Sequence, residues 1–126
     1  MRRFDVVIAG GGLVGTSLAL ALSRVRRGAL SVALIDRAGP VSDDRAFALS
    51  AGSRRFFEAL GIWDRIAVDA EPFREMVITD SRLEDPVRPI FLTFRGEAAP
   101  GEAFAYMVPE AAPLMALQSA LAASGV

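Results

Sequence analysis

The apolar residues of this chain fall into runs whose lengths and breaks predict its secondary structure. Residues 4–9 and 31–36 are short apolar runs, which are typical of strands buried on both faces of a parallel sheet. Residues 13–25 form a longer run that is apolar almost all round, so we expect a helix buried on every side, ending at Gly28. Strand, helix and strand in this order predict a βαβ unit.

The rest of the pattern predicts two more helices and several short strands. Ser50 is a good N-cap for a helix that Gly61 ends, and Trp63 is expected to pack into the core from the short helical turn that follows. Short strands and a last helix are predicted at residues 76–80, 90–94, 104–108 and 113–124. The first two of these strands should form an antiparallel hairpin. The fold class is therefore α/β, with a Rossmann-like βαβ unit and a small antiparallel element.

The turn between the first strand and helix carries three glycines at the spacing Gly10-x-Gly12-x-x-Gly15. Between a strand and a helix, this spacing is the fingerprint of dinucleotide-binding turns. Gly10 permits the sharp turn, Gly12 leaves room for a pyrophosphate at the backbone, and Gly15 lets the helix pack close to the strand. The first-turn N–H groups near Leu13 and Val14 can then bind phosphate oxygens, helped by the helix dipole.

Asp36 ends the second predicted strand, about twenty residues after the last glycine. At this place an acidic side chain accepts hydrogen bonds from the ribose hydroxyls of a bound dinucleotide. The glycines and Asp36 therefore predict a nucleotide-cofactor site. The alternative is a βαβ unit whose glycines only permit packing, with Asp36 a solvated charge at the strand end.

The composition excludes several kinds of chemistry. The 126 residues suffice for one domain, and the net charge of −1 argues against a surface for nucleic acid or an anionic membrane. Cys and His are absent and all 14 basic residues are Arg, which excludes thiol catalysis, histidine bases, the usual zinc sites and Schiff-base lysines. We nominate no catalytic side chain and no metal ligand. The hydrophobic content of 52% predicts apolar surfaces that need a cover from outside this chain.

The N-terminus also permits a targeting or membrane-spanning interpretation. Arg2 and Arg3 precede an uncharged stretch at residues 6–23, as in a signal peptide or a short spanning helix. Asp5 interrupts the entry, however, and three consecutive glycines are unfavourable inside a helix. We therefore favour the βαβ interpretation.

Three further stretches carry a family resemblance. They are Asp43-Asp44-Arg45-Ala46-Phe47-Ala48-Leu49-Ser50, Glu58-Ala59-Leu60-Gly61-Ile62-Trp63 and Ala105-Tyr106-Met107-Val108-Pro109. With the glycine fingerprint, they resemble the flavin-dependent aromatic hydroxylases of ubiquinone biosynthesis, within the para-hydroxybenzoate-hydroxylase-like FAD monooxygenases. The resemblance covers essentially the whole chain, and the first stretch is its most specific part.

The resemblance implies roles for individual residues. In the family the arginine of the first stretch lies against the flavin, so we expect Arg45 to bind the cofactor. The alternative is an arginine that only ties down its loop through carbonyl groups. The family more often has Glu in place of Asp36, which reaches less far, and Arg37 either borders the adenosine or is a solvated charge. The predicted cofactor contacts are Gly10, Gly12, Leu13, Val14, Gly15, Asp36, Arg37 and Arg45.

The resemblance also implies an activity. The expected enzyme is an FAD monooxygenase that takes electrons from NAD(P)H and uses molecular oxygen to hydroxylate an aromatic, prenylated ubiquinone precursor. The alternatives are an NAD-dependent dehydrogenase module and a non-enzymatic cofactor-binding protein of the same fold. No nucleic-acid partner is expected. The implied location is cytoplasmic, with peripheral association at the inner membrane or in a multienzyme complex left open.

Family members are much longer than this chain, and they carry Gly-Asp and Asp-Gly pairs that serve the cofactors and do not occur here. We therefore expect residues 1–126 to be the N-terminal fragment of an FAD-binding domain, inactive as a hydroxylase by itself. In this interpretation residues 1–70 carry the βαβ unit and the cofactor motifs, residues 71–108 form short strands on the substrate side, and residues 109–126 form a helix.

Overall fold

The computed structural model describes residues 3–25, 30–37 and 45–124, which form four helices and nine strands. In chain order these elements are β1 (Val6–Ala9), α1 (Leu13–Val25), β2 (Val32–Ile35), β3 (Ala46–Ser50), α2 (Ala51–Ala59), α3 (Trp63–Ala67), β4 (Glu71–Phe73), β5 (Glu75–Thr79), β6 (Ile90–Arg95), β7 (Glu97–Ala99), β8 (Glu102–Ala103), β9 (Ala105–Pro109) and α4 (Ala111–Ala122). The expected helix end at Gly28, and Asp43 and Asp44 of the family-like stretch, lie outside the described residues.

The first three elements form the predicted βαβ unit. Strands β1 and β2 are parallel neighbours, with Val6 opposite Val32 and Ala9 opposite Ile35, and α1 lies between them in the chain. Residues 6–23, which also suggested a spanning segment, fold as a strand, a turn and the start of a helix. In the described ranges, no helix is long and apolar enough to cross a membrane.

A second, antiparallel sheet has the strand order β3-β9-β4. Its central strand β9 was predicted, but β3 and β4 were not. Strand β3 is short and rich in alanine, and β4 contains Pro72, so neither has a local strand pattern. Both strands form by pairing with β9, as Ala46 does with Pro109 and Phe73 with Ala105. This pairing joins parts of the chain that are distant in sequence.

The predicted helix after Ser50 is α2, and its ends are formed as expected. The Ser50 hydroxyl accepts a hydrogen bond from the backbone N–H of Ser53 at 3.1 Å, which caps the helix. Gly61 follows with φ of +60°, the left-handed conformation that commonly ends helices. Trp63 then packs into the core with its ring edge-on to Tyr106, at a centroid distance of 5.2 Å.

The hydrophobic core lies where α1, α3, α4 and β9 meet. Its most deeply buried side chains come from each of these elements: Leu20, Ile66, Val108 and Leu117 are all without measurable exposure. Leu117 belongs to the last helix, which begins two residues earlier than expected and has Pro113 in its first turn. The core therefore connects the βαβ unit to the C-terminal helix.

The prediction that α1 is buried on every side is wrong. Ala19 and Leu20 are fully buried, but 83% of Val14 and 47% of Leu18 are exposed. Among the described residues, α1 packs against only two strands, β1 and β2, and against helix α4. These contacts bury one face of the helix. The other face remains apolar and uncovered.

The predicted antiparallel hairpin is formed by β5 and β6. Met76 pairs with Phe94 and Ile78 with Leu92, and the register shifts after Ile78. Every residue of β5 is exposed, and Phe91 of β6 is 72% exposed. The short pair β7–β8 follows the hairpin. The hairpin is thus apolar in sequence but is not packed into the core.

Candidate functional site

The site begins where β1 ends, at Gly10. Its backbone N–H donates to the carbonyl oxygen of Ile35 at 2.7 Å, which continues the β1–β2 pairing one residue beyond Ala9. Its φ of +107° is a conformation that side-chain-bearing residues rarely adopt. The sharp turn predicted for Gly10 is therefore present, and the fold itself requires glycine here.

Gly15 is required by the fold for a different reason. A Cβ atom added to it would lie 1.9 Å from the carbonyl oxygen of Gly10 and 3.3 Å from Cγ2 of Ile8. Nothing larger than a hydrogen fits at the first of these distances. The third glycine thus lets the first turn of α1 pack directly on the end of β1, as predicted.

Gly12 has neither constraint. Its backbone is outside the left-handed region, and no atom of the described residues lies within 4 Å of a Cβ atom added to it. The part of the chain that the structure describes therefore does not demand glycine at this exposed position, whereas a ligand that approaches the backbone would demand it. The backbone at Gly12 is thus open to a ligand at the start of a helix, so these residues fit a dinucleotide cofactor.

The electrostatics of the turn also suit an anionic group. Helix α1 begins at Leu13 and has no acidic residue in its first turn. The first N–H groups of a helix have no partner inside the helix, and the dipole makes this end positive. Gly12 precedes the helix and has no side chain that can cap these N–H groups. Val14, predicted as a contact, is exposed beside them.

Asp36 lies next to the glycine turn, just after β2. A Cβ atom added to Gly11 would lie 2.7 Å from the carboxylate oxygen Oδ2 of Asp36, so the two residues are in close contact. The sequence suggested no role for Gly11, and the structure supplies one: it leaves room for this carboxylate. Asp36 and Arg37 are both exposed, as ligand-facing or solvated residues must be.

An apolar groove runs from the N-terminus of α1 along its uncovered face. The groove has a volume of about 390 Å³ and is lined by both α1 and α2. Leu13 and Val14 lie at one end, and Phe56 and Phe57 contribute from α2. The predicted contact Leu13 is therefore half-buried between the glycine turn and this groove.

Arg45 lies on a different sheet from the glycine turn, immediately before β3. Its Nε and Nη2 atoms donate to the two carboxylate oxygens of Glu110 at 2.6 and 2.5 Å, and its carbonyl oxygen accepts from the Glu110 N–H at 2.9 Å. The side-chain hydrogen bonds from Arg45, together with its positive charge, hold the pKa of the Glu110 carboxyl below its usual range. The Arg45 guanidinium also lies 5.9 Å from the centre of the Phe47 ring.

The alternative considered for Arg45 was a tie to carbonyl groups, but its side-chain partner is a carboxylate. No local pattern could reveal this pair, because 65 residues separate the two side chains. The Arg45 side chain remains 67% exposed, so its outer face is accessible to a ligand. The structure thus brings Gly10, Gly12, Gly15 and Asp36 together and holds Arg45 in place separately.

These features define a class of protein, one that binds a nucleotide cofactor at the carboxyl ends of parallel strands through a glycine turn. Comparison with known proteins then gives the family. The family described as FAD binding domain matches residues 3–122, and the chain belongs to it. This match confirms FAD as the cofactor, and with it the family predicted from the sequence.

The relatives found are much longer proteins. The chain is 34% identical over 110 residues to the ubiquinone hydroxylase UbiL of Rhodospirillum rubrum. The aligned segment covers 82% of this chain and 24% of UbiL. It is 34% identical over 80 residues to the 3-demethoxyubiquinol 3-hydroxylase of Escherichia coli, covering 57% of this chain and 20% of that one. The chain thus spans about a quarter or less of the length of these relatives.

The fold is shared with solved flavoprotein structures. The flavin-dependent monooxygenase PieE, in complex with FAD and substrate, matches with a TM-score of 0.69 and 23% identity, over 98% of this chain and 22% of PieE. At this level of identity the match shows the fold. The α/β class and the flavoprotein architecture predicted from the sequence are therefore confirmed.

Proposed function

We propose that this chain is the FAD-binding portion of an NAD(P)H- and oxygen-dependent monooxygenase that hydroxylates an aromatic, prenylated precursor of ubiquinone. The observation that carries the cofactor part is Gly12: no described residue comes within 4 Å of a Cβ atom added to it, so the described fold does not require glycine there, whereas a pyrophosphate at the backbone would. The similarity to two hydroxylases whose names refer to ubiquinone supports the substrate part. The proposal concerns the whole protein, of which these residues supply the cofactor turn.

Within the chain, we assign the cofactor contacts as follows. The N–H groups of Gly12, Leu13 and Val14 bind the pyrophosphate at the positive end of α1, where the described residues leave the space beside Gly12 open. Asp36 accepts hydrogen bonds from the adenosine ribose, next to Arg37. Arg45 binds the cofactor through the guanidinium face that Glu110 leaves open.

Bound FAD supplies the redox and oxygen chemistry, while the residues of this chain bind and orient it. No described side chain has the environment of a general acid or base at the turn, and Asp36 is exposed. The contribution of residues 1–126 is therefore position and charge. We propose no residue of this chain as a contact to the aromatic ring of the substrate.

The proposal is tested by purifying the full-length protein and measuring both its flavin content and its chemistry. We expect a yellow protein with one FAD per chain. It should oxidise NAD(P)H in the presence of a prenylated phenol and transfer one oxygen atom from isotope-labelled molecular oxygen to the ring, as measured by mass spectrometry.

Each alternative has its own outcome in this experiment. A colourless protein that binds NAD(H) in preference to FAD would favour a dehydrogenase module and contradict the proposal. A yellow protein that oxidises no NAD(P)H with any phenol would favour a non-enzymatic flavoprotein and contradict the catalytic part.

We further propose a cytoplasmic location with peripheral contact to the inner membrane. Fractionation of cells into soluble and membrane pools tests this location.

A further inference from the structure

A buried hydroxyl lies beneath the glycine turn. Thr16, in the first turn of α1, is only 1% exposed, and its Oγ1 donates to the carbonyl oxygen of Gly11 at 2.8 Å. Its backbone N–H donates to the carbonyl oxygen of Gly12 at 3.0 Å, the first hydrogen bond of the helix. A threonine within a helix usually bonds to a carbonyl three or four residues earlier in the same helix. This one reaches five residues back, into the turn.

The bond fixes the direction of one peptide group. Gly11 and Gly12 share a planar peptide in which the carbonyl oxygen of Gly11 and the N–H of Gly12 point in opposite directions. Thr16 holds the carbonyl on the buried side, where Gly11 is itself buried. The N–H of Gly12, an exposed residue, is therefore directed away from Thr16 and toward the outer side of the turn.

Without this bond the peptide has little to hold it. Gly11 and Gly12 both lack a Cβ atom, so the backbone on either side of their peptide has the widest range of conformations available to any residue. A rotation of the peptide would turn the carbonyl oxygen outward and the N–H inward. An outward oxygen would repel an anionic phosphate at the place where a donor is needed.

We propose that Thr16 is a positioning residue for the cofactor: its buried hydroxyl orients the Gly11–Gly12 peptide so that the Gly12 N–H donates to the FAD pyrophosphate. The inference rests on the proposed assignment of the pyrophosphate to this turn. It adds a residue that does not itself touch the cofactor and that lies beyond the three glycines of the fingerprint.

The test compares FAD affinity in variants of the full-length protein, after removal of the flavin. Thr16→Val keeps the side-chain shape but cannot donate, and we expect its Kd for FAD to rise about tenfold. Thr16→Ser keeps the hydroxyl, and its Kd should stay within about twofold of the original. The Kd values are measured by quenching of flavin fluorescence, at a temperature where circular dichroism shows every variant folded.

The chain offers a matched control at the other end of the same helix. The hydroxyl of Ser23 donates to the carbonyl oxygen of Leu20 at 2.7 Å, so Ser23→Ala also removes a partly buried hydroxyl–carbonyl bond. It should not change the Kd for FAD. If Thr16→Val does not fold, Thr16→Ala removes the same donor with less steric demand and takes its place in the comparison.

Unchanged FAD affinity in folded Thr16→Val or Thr16→Ala would overturn the positioning role while leaving the proposed function intact. Equal losses of affinity in Thr16→Val and Ser23→Ala would also overturn it, because they would indicate a general effect of helix stability. Failure of the original protein to bind FAD would contradict the proposed function itself. Restored affinity in Thr16→Ser, together with a loss in Thr16→Val, is the result that supports the inference.

Discussion

The polar groups at the two ends of the β1–β2 strand pair are hydrogen-bonded in different ways. At the N-terminal end, Ser31 donates to the carboxylate of Asp5 from its N–H at 2.8 Å and from its hydroxyl at 2.7 Å, and the N–H of Asp5 donates back to the Ser31 hydroxyl. At the C-terminal end, Gly10 and Gly12 have no side chains that could pair with the N–H groups at the start of α1. We call the Asp5–Ser31 end the closed end and the glycine-turn end the open end.

This difference separates the residues that stabilise the fold from those that we propose bind the cofactor. Both ends are exposed, so a polar group without a protein partner bonds to water there, and a ligand can replace that water. The closed end pairs the Asp5 and Ser31 side chains, whereas the open end has two glycines and a peptide whose carbonyl is held by Thr16. We therefore expect substitutions at the two ends to change different measured quantities.

The largest expected effect is at the open end. Gly12→Val in the full-length protein should raise the Kd for FAD by at least about 100-fold, because the branched side chain fills the space in which two or more charge-assisted hydrogen bonds form. The protein should stay folded, because nothing lies within 4 Å of the added Cβ atom. Fluorescence titration gives the Kd and circular dichroism gives Tm.

A matched control for this variant is Gly52→Val. Gly52 also lacks a left-handed backbone, and its added Cβ atom would make only an ordinary contact, 3.6 Å from the Ser50 hydroxyl. This variant should bind FAD normally. Normal flavin content in Gly12→Val would remove the glycine turn from the site.

An intermediate effect is expected at Arg45, outside both ends of the pair. Arg45→Ala should weaken FAD binding about tenfold, the value of a hydrogen bond to a charged group, and should slow flavin reoxidation. The change in Tm should be small, because the guanidinium is 67% exposed and exposed ion pairs contribute little to stability.

The control for Arg45 is another exposed arginine in an ion pair. Arg95 is 73% exposed and donates to Glu75 at 2.8 Å, so Arg95→Ala removes a similar pair from the β5–β6 hairpin. It should leave FAD affinity unchanged. A lower Tm with normal flavin occupancy and turnover in Arg45→Ala would show that Arg45 only ties its loop to Glu110.

The smallest expected effect is at the closed end and depends on pH. The backbone and side-chain hydrogen bonds from Ser31 lower the pKa of Asp5 below its ordinary value. The stabilisation is therefore complete above the unfolded-state pKa of about 3.9 and is lost as the pH falls through the lower pKa of the folded protein.

Asp5→Ala should accordingly lower the urea midpoint at neutral pH, and the difference from the original protein should shrink progressively below about pH 4. Its Kd for FAD at neutral pH should not change. A difference in midpoint that is constant from pH 7 to pH 3 would show that the carboxylate charge does not contribute. A loss of FAD affinity in Asp5→Ala would contradict the claim that the closed end contributes to stability and not to FAD binding.

Local pattern was sufficient to predict most helices and the βαβ unit, because these depend on runs of neighbouring residues. It failed where an element exists only through a distant partner. Strand β3 pairs with β9 from Ala46 opposite Pro109, so a short alanine-rich segment becomes a strand through residues far along the chain. The Arg45–Glu110 pair is hidden from the sequence for the same reason.

The candidate site is a prediction from spacing, and the structure adds contacts that spacing does not contain. The fingerprint assigns functions to three glycines, but only the structure distinguishes Gly15, which the fold requires, from Gly12, which the described residues do not require to be glycine. It also reveals Gly11 beside Asp36 and Thr16 beneath the turn. The apolar run correctly predicted α1 but not its exposed face. Burial of a helix face depends on the elements that pack against it, which the sequence of the helix itself does not specify.

The central claim, that the glycine turn of this chain holds FAD, is tested most directly by titrating the flavin-free full-length protein with FAD and, separately, with NADH. We predict saturable quenching of flavin fluorescence at one FAD per chain, with a sub-micromolar Kd that excess NADH does not raise by competition. Absence of saturable FAD binding, or displacement of FAD by NADH at similar concentrations, would contradict the account.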